Sequence, residues 1–292
     1  VYIWLALAFL TLFLTVATPL GVVGGGASRW LYLGFVSVQP LEFAKPALVL
    51  YLAYFYSRKT EMSHTFMVGI FPPMMITCIM CFLLLLQPDF GGAVSLALLF
   101  FLMSLVGGAK LTYLLGSGAL GAALGVNLIM NSEYRLKRWL SFLDPFADPA
   151  DTGYQVVQSL YAFGSGGTTG VGLGAGKQKL FFLPQAHNDF ILAVLGEEMG
   201  FAGMCVIFAL VGVFLYRAFR VSLRASELDA RLIALGATVT LGLGMLLNLA
   251  VVLGAAPPKG VPMPFISYGG SSLVAAFICV GLILNVSRRR TV

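Results

Sequence analysis

The residues best suited to chemistry lie in one short segment, 184–200, with the sequence PQAHNDFILAVLGEEMG. This segment holds His187, Asp189, Glu197 and Glu198 at the edge of an apolar stretch, in a chain of which only 10% of the residues are charged. A carboxylate there can accept a proton from a substrate hydroxyl group or bind a metal ion. A charged side chain near a membrane core costs about 2.5 to 3.5 kcal/mol, so it is a candidate for function. We predict Asp189 to be the main catalytic residue.

The elements that position these side chains are predicted to be membrane-spanning helices. The sequence is 59% hydrophobic with a mean hydropathy of +0.92, and its apolar runs are long enough to cross a bilayer. The predicted spans are 1–20, 40–56, 65–87, 91–106, 111–130, 189–216, 230–253 and 265–286. We therefore expect an all-α fold, a polytopic transmembrane helix bundle with eight spans and a long loop, 131–188, between the fifth and sixth.

The basic residues predict the orientation of this bundle, because cytoplasmic loops of membrane proteins accumulate Lys and Arg. One set of loops and the tail hold most of them: Arg58, Lys59, Lys110, Arg217, Arg220, Arg224, Arg231, Arg288, Arg289 and Arg290. The opposite short loops hold only Arg29 and Lys259. We expect the first set to be cytoplasmic and the loop 131–188 to be extracytoplasmic. Topology thus explains the net charge of +6, and nucleic-acid binding is not expected.

Further polar residues are predicted on the extracytoplasmic side. Glu42 and Lys45 are three residues apart, on one face of a helix, and form either a buried ion pair that fixes helix packing or part of a ligand site. Asp89 lies in the predicted turn 88–91, where a solvated turn carboxylate is the ordinary interpretation and a functional one the alternative. The stretch 264–272 is rich in Ser and Gly at membrane depth, so its backbone is expected to line protein or water. In the long loop, 134–143 alternates basic and apolar residues as a helix in the lipid headgroup layer does.

Five motifs carry a resemblance that covers nearly the whole chain. They are QPxExxK at 39–45, PDFG at 88–91, DPFADP at 144–149, LPQAHNDFILAVLGEEMG at 183–200 and MPFISYGGSS at 263–272. In order and spacing they resemble the SEDS family of shape, elongation, division and sporulation proteins, and the division branch more than the elongation branch. The resemblance implies a single membrane domain over 1–292 with ten spans in the family, so we expect two N-terminal spans to be missing from this sequence.

The same resemblance implies a peptidoglycan glycosyltransferase that acts in cell division. It would polymerise lipid II, and polyprenyl-diphosphate-linked glycan, at the outer face of the bacterial cytoplasmic membrane. Asp189 matches the family's essential acid, as general base or as metal ligand. A divalent cation, Mg²⁺ or Mn²⁺, is expected as cofactor and no nucleotide. The expected partners are a class B penicillin-binding protein transpeptidase and other membrane proteins of the divisome or elongasome.

Seven residues are expected to bind the substrate: Arg29, Glu42, Lys45, Gln155, Lys177, His187 and Ser267. Arg29 and Lys45 would stabilise the leaving diphosphate, and His187 either orients Asp189 or is a solvated loop residue. Glu197 and Glu198 are interpreted as structural, one pairing with Lys45 or Arg29 and the other facing water. Two other classes of function stay open, a transporter that flips lipid II across the membrane and a noncatalytic scaffold that recruits a transpeptidase.

Overall fold

A computed structural model describes residues 1–24, 27–32, 34, 36–59 and 65–288. A helix lies at each of the eight predicted spans, and two further helices lie in the long loop. The helices are α1 Tyr2–Ala17, α2 Pro40–Arg58, α3 Phe71–Leu86, α4 Phe90–Val106, α5 Leu111–Met130, α6 Glu133–Leu143, α7 Tyr154–Gly166, α8 Ile191–Arg224, α9 Leu228–Val252 and α10 Gly270–Arg288. A π-helical turn, Phe66–Ile70, leads into α3, and a second one, Gln178–Phe182, follows α7. Of the basic residues assigned to the cytoplasm, Arg289 and Arg290 lie outside the described residues.

Length and composition make several of these helices able to cross a membrane. Five segments qualify among the described residues: Phe66–Leu86, Leu111–Met130, Ile191–Arg224, Leu228–Val252 and Gly270–Arg288. The helices α1 and α4 are apolar but shorter, with 16 and 17 residues. The prediction of a multi-pass helical membrane protein is confirmed.

Local sequence explains where two of the spans begin. Pro40 occupies the first turn of α2, where its missing N–H is no loss. Glu42 lies in the same turn, where its negative charge interacts favourably with the positive end of the helix dipole. Asp89 is the N-cap of α4, and its carboxylate accepts a hydrogen bond from the Gly92 N–H at 3.0 Å. Asp89 is only 5% exposed, so the prediction of a solvated turn carboxylate was wrong.

A small sheet departs from the predicted all-α class. It contains β1 Gly21–Gly24, β2 Ala27–Tyr32 and β3 Ser37–Val38, all antiparallel in the order β1-β2-β3. The Tyr32 N–H also donates to the Leu20 carbonyl at 2.9 Å, which ties β2 to the end of the first span. These strands are too short to give a readable alternation of polar and apolar residues, so the sequence analysis missed them.

The chain divides into two compact units. Unit 1 comprises Val1–Leu120, Arg217–Leu241 and Gly270–Val292, and unit 2 comprises Gly121–Tyr216 and Gly242–Gly269. The core of unit 1 forms around α2, whose Leu48, Leu52 and Tyr56 are fully buried, and the Tyr56 hydroxyl donates to Ser104 Oγ at 2.8 Å. The core of unit 2 combines residues from α7, α8, α9 and the loop after α9: Ala162, Leu192, Ala193, Val252 and Met263.

The predicted headgroup helix is present as α6. Its Lys137 ammonium lies 3.0 Å from Glu133 Oε1, and the hydrogen bond with that carboxylate raises the pKa of Lys137. Arg138 stacks over the Tyr134 ring and donates to the Pro258 carbonyl at 3.2 Å, which fastens α6 to the loop after α9 within unit 2. Its position in a headgroup layer stays a prediction.

Candidate active site

The backbone around Asp189 is held by three hydrogen bonds within unit 2. The carbonyls of three consecutive residues each accept one: His187 from the Tyr268 N–H at 2.9 Å, Asn188 from the Ser267 hydroxyl at 2.5 Å, and Asp189 from the Asn248 amide at 2.8 Å. We call this arrangement the carbonyl clamp. These residues precede α8 in an irregular turn, where no helix bond would satisfy their carbonyls. The clamp therefore fixes the backbone that carries the Asp189 carboxylate.

Asn248 is the member of the carbonyl clamp that the sequence analysis missed. It is 1% exposed in α9, and its amide nitrogen donates to both the Asp189 carbonyl and the Val261 carbonyl, the latter at 2.6 Å. One side chain thus joins the turn before α8 to the loop after α9. A signal was available, since a lone Asn in the apolar run LLNLAVV is costly in a membrane helix unless its amide is bonded.

Ser267, which was expected to bind substrate, uses its hydroxyl for hydrogen bonds within the carbonyl clamp and its neighbouring loop. Its hydroxyl is 2.7 Å from the Met263 N–H, which donates to it, and it donates in turn to the Asn188 carbonyl. Its side chain is 8% exposed, so both hydrogen-bonding roles are taken inside the protein. The backbone on both sides of the clamp is unusual, because Gln185 and Phe265 have positive φ angles of 58° and 68°. Such conformations cluster at functional sites, where the surrounding structure holds them.

The side chains nearest to Asp189 in sequence differ in exposure. Asp189 itself is half-buried, two residues before the first residue of α8, while His187 is exposed and Phe190 is fully buried. The buried Phe190 anchors the turn in the core of unit 2. The ring of His187 is thus in reach of solvent, and its proposed role in orienting Asp189 stays a prediction.

The other predicted residues of unit 2 lie in α7 and in the segment that follows it. Gln155 is half-buried in the first turn of α7, and the side chain of Lys177 is exposed. The backbone N–H of Lys177 donates to the Glu197 carboxylate at 2.9 Å. Glu198 pairs with Lys179, with 2.6 Å between the ammonium nitrogen and Oε1. The prediction that Glu197 or Glu198 pairs with Lys45 or Arg29, with the other facing water, was wrong, because a segment rich in glycine supplies the partners of both.

Unit 1 holds the remaining predicted residues, already paired with one another or with Asp89. The Lys45 ammonium is 2.6 Å from Glu42 Oε1, which confirms the predicted i,i+3 pair, and both side chains are largely buried. Arg29 Nε lies 3.8 Å from Asp89 Oδ1, and the guanidinium donates to the Pro88 carbonyl at 3.4 Å. Among its described residues, unit 1 therefore presents these two carboxylate–cation pairs. The choice between packing and ligand binding for Glu42 and Lys45 stays open.

A divalent ion would find few protein ligands here. Within the ranges that the structure describes, no three His, Cys, Asp or Glu side chains come together as a metal site. Asp189 can supply one carboxylate. This fits Mg²⁺ bound by a single protein carboxylate together with substrate phosphates and water, and it does not fit an ion held by the protein alone.

Comparisons with known proteins agree on the family. The FtsW/RodA/SpoVE family model, described as "Cell cycle protein", matches residues 1–292. The "Probable peptidoglycan glycosyltransferase FtsW" of Trichlorobacter lovleyi is 44% identical over 284 residues, which cover 96% of this chain and 74% of that protein. The "Stage V sporulation protein E" of Bacillus subtilis is 38% identical over 284 residues, covering 97% of this chain and 78% of that protein.

Two solved structures share the fold. One is a chain from work described as "Structural coordination of polymerization and crosslinking by a peptidoglycan synthase complex", with a TM-score of 0.81, 32% identity, and 99% of this chain and 81% of that chain covered. The other is the crystal structure of the Thermus thermophilus rod shape determining protein RodA, with a TM-score of 0.69, 30% identity, and coverage of 100% and 78%. The chain belongs to the SEDS family of FtsW, RodA and SpoVE proteins and is FtsW-like within it.

Proposed function

We propose that this chain is an inverting peptidoglycan glycosyltransferase that polymerises lipid II during cell division, with Asp189 as its general base or metal ligand. The observation that carries the proposal is the carbonyl clamp, which fixes the backbone of a half-buried carboxylate through three consecutive carbonyls. Relatives at 43–44% identity that are named probable peptidoglycan glycosyltransferases support the same reaction. A catalytic base needs a fixed position relative to the hydroxyl that it deprotonates, and the carbonyl clamp supplies the fixed backbone.

The reaction needs one proton acceptor. The 4-hydroxyl of the acceptor sugar attacks the anomeric carbon of the lipid-linked donor, the bond from that carbon to the diphosphate oxygen breaks, and the hydroxyl proton passes to the Asp189 carboxylate. The diphosphate leaves as an anion and needs no protonation. A single displacement converts the α-linked donor into a β-linked product, so no covalent enzyme intermediate is required.

Charge on the leaving diphosphate must be stabilised. In its alternative role as metal ligand, the Asp189 carboxylate would instead hold Mg²⁺ or Mn²⁺, which would supply positive charge to the leaving diphosphate. Lys177 is a candidate cation for this role in unit 2, since its side chain is exposed. Arg29 and Lys45 are already paired with carboxylates, so binding to a diphosphate would require each to exchange its partner. His187 and Gln155 are assigned to sugar contacts by their polar side chains.

The setting of the reaction is the bacterial cytoplasmic membrane, with the site on the outer face. The distribution of Lys and Arg supports this orientation. A class B penicillin-binding protein is the proposed partner, because a solved relative comes from a peptidoglycan synthase complex that couples polymerization with crosslinking. Other division or elongation membrane proteins are further proposed partners.

The test is glycan synthesis by the purified full-length protein with its transpeptidase partner, lipid II and a divalent cation. Wild type is expected to form polymer that is resolved by gel electrophoresis, and Asp189→Ala is expected to form none while still binding its partner. Asp151→Ala removes an exposed carboxylate of the long loop 131–188 and serves as the matched control. Polymer formation by Asp189→Ala would remove this residue from the catalytic role. Movement of labelled lipid II across liposomes that is unaffected by Asp189→Ala would favour a transporter.

A further inference from the structure

The helix that follows Asp189, α8, is broken at Gly200, shortly after Glu197 and Glu198. Within α8, Gly200 has φ 64° and ψ −168°, which no helix contains. A break of this kind frees carbonyls before it and N–H groups after it, and each must find a partner away from water. Loop 167–172 supplies these partners. The Glu197 and Glu198 carbonyls accept from the N–H groups of Val171 and Gly172 at 3.0 and 3.1 Å.

The other side of the break is satisfied in the same way. The N–H groups of Phe201 and Ala202 donate to the Gly167 and Thr168 carbonyls at 2.9 and 3.0 Å. The loop after α7 is therefore hydrogen-bonded to α8 both before and after the break at Gly200. Glycine is required at this contact, because a Cβ on Gly170 would collide with the Glu198 carbonyl.

The two acidic side chains extend this attachment toward Asp189. The Glu197 carboxylate is 3% exposed and accepts two backbone hydrogen bonds, from Lys177 at 2.9 Å and from Gln178 at 3.1 Å. The Glu198 carboxylate accepts from the Gly174 N–H at 3.0 Å and pairs with Lys179 at 2.6 Å. We call Glu197 and Glu198, together with segment 174–179, the acidic latch.

The acidic latch joins the two ends of the stretch of chain that carries Asp189. This stretch leaves the latch at Gln178, passes through the π-helical turn Gln178–Phe182, and returns along α8 to Glu197. Between these points it is anchored by buried apolar residues: Leu183, Ala186 and Phe190. The carbonyl clamp holds its middle and the latch holds both of its ends, so loosening the latch lengthens the free chain on which Asp189 is carried.

We propose that Glu197 and Glu198 are positioning residues, which act on the reaction by fixing the segment 178–190 and through it the Asp189 carboxylate. This inference rests on the proposed function of Asp189. A buried carboxylate that serves only packing could be replaced by an apolar side chain, whereas these two satisfy four backbone or ammonium donors of one segment. The expected consequence is an effect on turnover with little effect on substrate affinity.

The test compares Glu197→Gln and Glu198→Gln with Glu133→Gln, which removes the carboxylate of an exposed ion pair on α6. Glu198 lies at the more exposed rim of the latch, so its variant stays informative where Glu197→Gln does not fold. The first measurement is hydrogen exchange of the amides bonded to α8: Val171, Gly172, Gly174, Lys177 and Gln178. We expect exchange about tenfold faster there in the latch variants and unchanged in the control.

The second measurement separates positioning from a purely structural role. In the lipid II assay the latch variants are expected to lose roughly ten- to a hundredfold in kcat, with KM for lipid II within about twofold of wild type. A raised KM with unchanged kcat, unchanged hydrogen exchange, or faster exchange with unchanged kcat would each overturn the inference. A wild-type protein without polymerase activity would refute the proposed function, and the exchange measurement would still test the latch.

Discussion

Replacing Ser267 by alanine tests whether the carbonyl clamp supports the reaction. The substitution removes one oxygen atom, which is 2.5 Å from the Asn188 carbonyl and 2.7 Å from the Met263 nitrogen. Each backbone group left without its partner costs about 1 to 3 kcal/mol. If the free energy lost at the Asn188 carbonyl is added in full to the activation free energy of the reaction, kcat falls roughly 5- to 150-fold.

The matched control is Ser271→Ala, four residues further along the same serine-rich stretch. Ser271 is equally buried, at 7% exposure, and its hydroxyl accepts one backbone hydrogen bond, from the Gln39 N–H at 3.0 Å, within unit 1. Its loss is expected to lower thermal stability by a few degrees, as Ser267→Ala does, and to leave kcat within about twofold. The assay is polymer formation from labelled lipid II over a range of concentrations by the purified full-length protein with its partner.

Two results would refute this reasoning about Ser267. If Ser267→Ala raises KM and leaves kcat unchanged, the hydroxyl contacts substrate directly, as the sequence alone suggested. If Ser271→Ala lowers kcat as much as Ser267→Ala, the loss reflects general instability and not the position of Asp189.

Two further predictions concern the pairs of unit 1. If Glu42 and Lys45 only balance each other's charge, Glu42→Gln and Lys45→Met each lower activity and thermal stability more than the double variant does. The reason is that each single change leaves one buried charge without its partner. A double variant as impaired as the worse single variant would indicate ligand binding. Asp89→Ala removes the N-cap of α4 and the partner of Arg29, and is expected to lower the free energy of unfolding by about 1 to 2 kcal/mol. The control Asp151→Ala, at an exposed site, is expected to change it by less than about 0.5 kcal/mol. Equal thermal unfolding midpoints for Asp89→Ala and wild type would contradict the capping role.

Sequence alone predicted the features that depend on local pattern. Each long apolar run became a helix, because helices satisfy their own backbone groups in a membrane. The Glu42–Lys45 pair followed from spacing along one helix face. The segment around Asp189 was identified because ionisable residues in an apolar stretch are costly, and the structure places Ser267 next to it through the Asn188 carbonyl.

Features that depend on contacts distant in sequence were missed. Glu197 and Glu198 find their partners some twenty residues upstream in a glycine-rich loop, which no periodicity indicates. The break at Gly200 is invisible in an apolar run, since its cost is removed only by the loop that bonds across it. Asn248 was passed over because its bonding partners, the carbonyls of Asp189 and Val261, are set by the tertiary fold.

The most direct test of the account measures turnover and binding together in Asp189→Asn. This variant keeps the size of the side chain and removes the proton acceptor. We predict a fall in kcat of about a hundred- to ten-thousandfold, with lipid II binding to the same full-length protein within a few-fold of wild type. Turnover within about tenfold of wild type would contradict the claim that the Asp189 carboxylate takes part in glycan polymerisation.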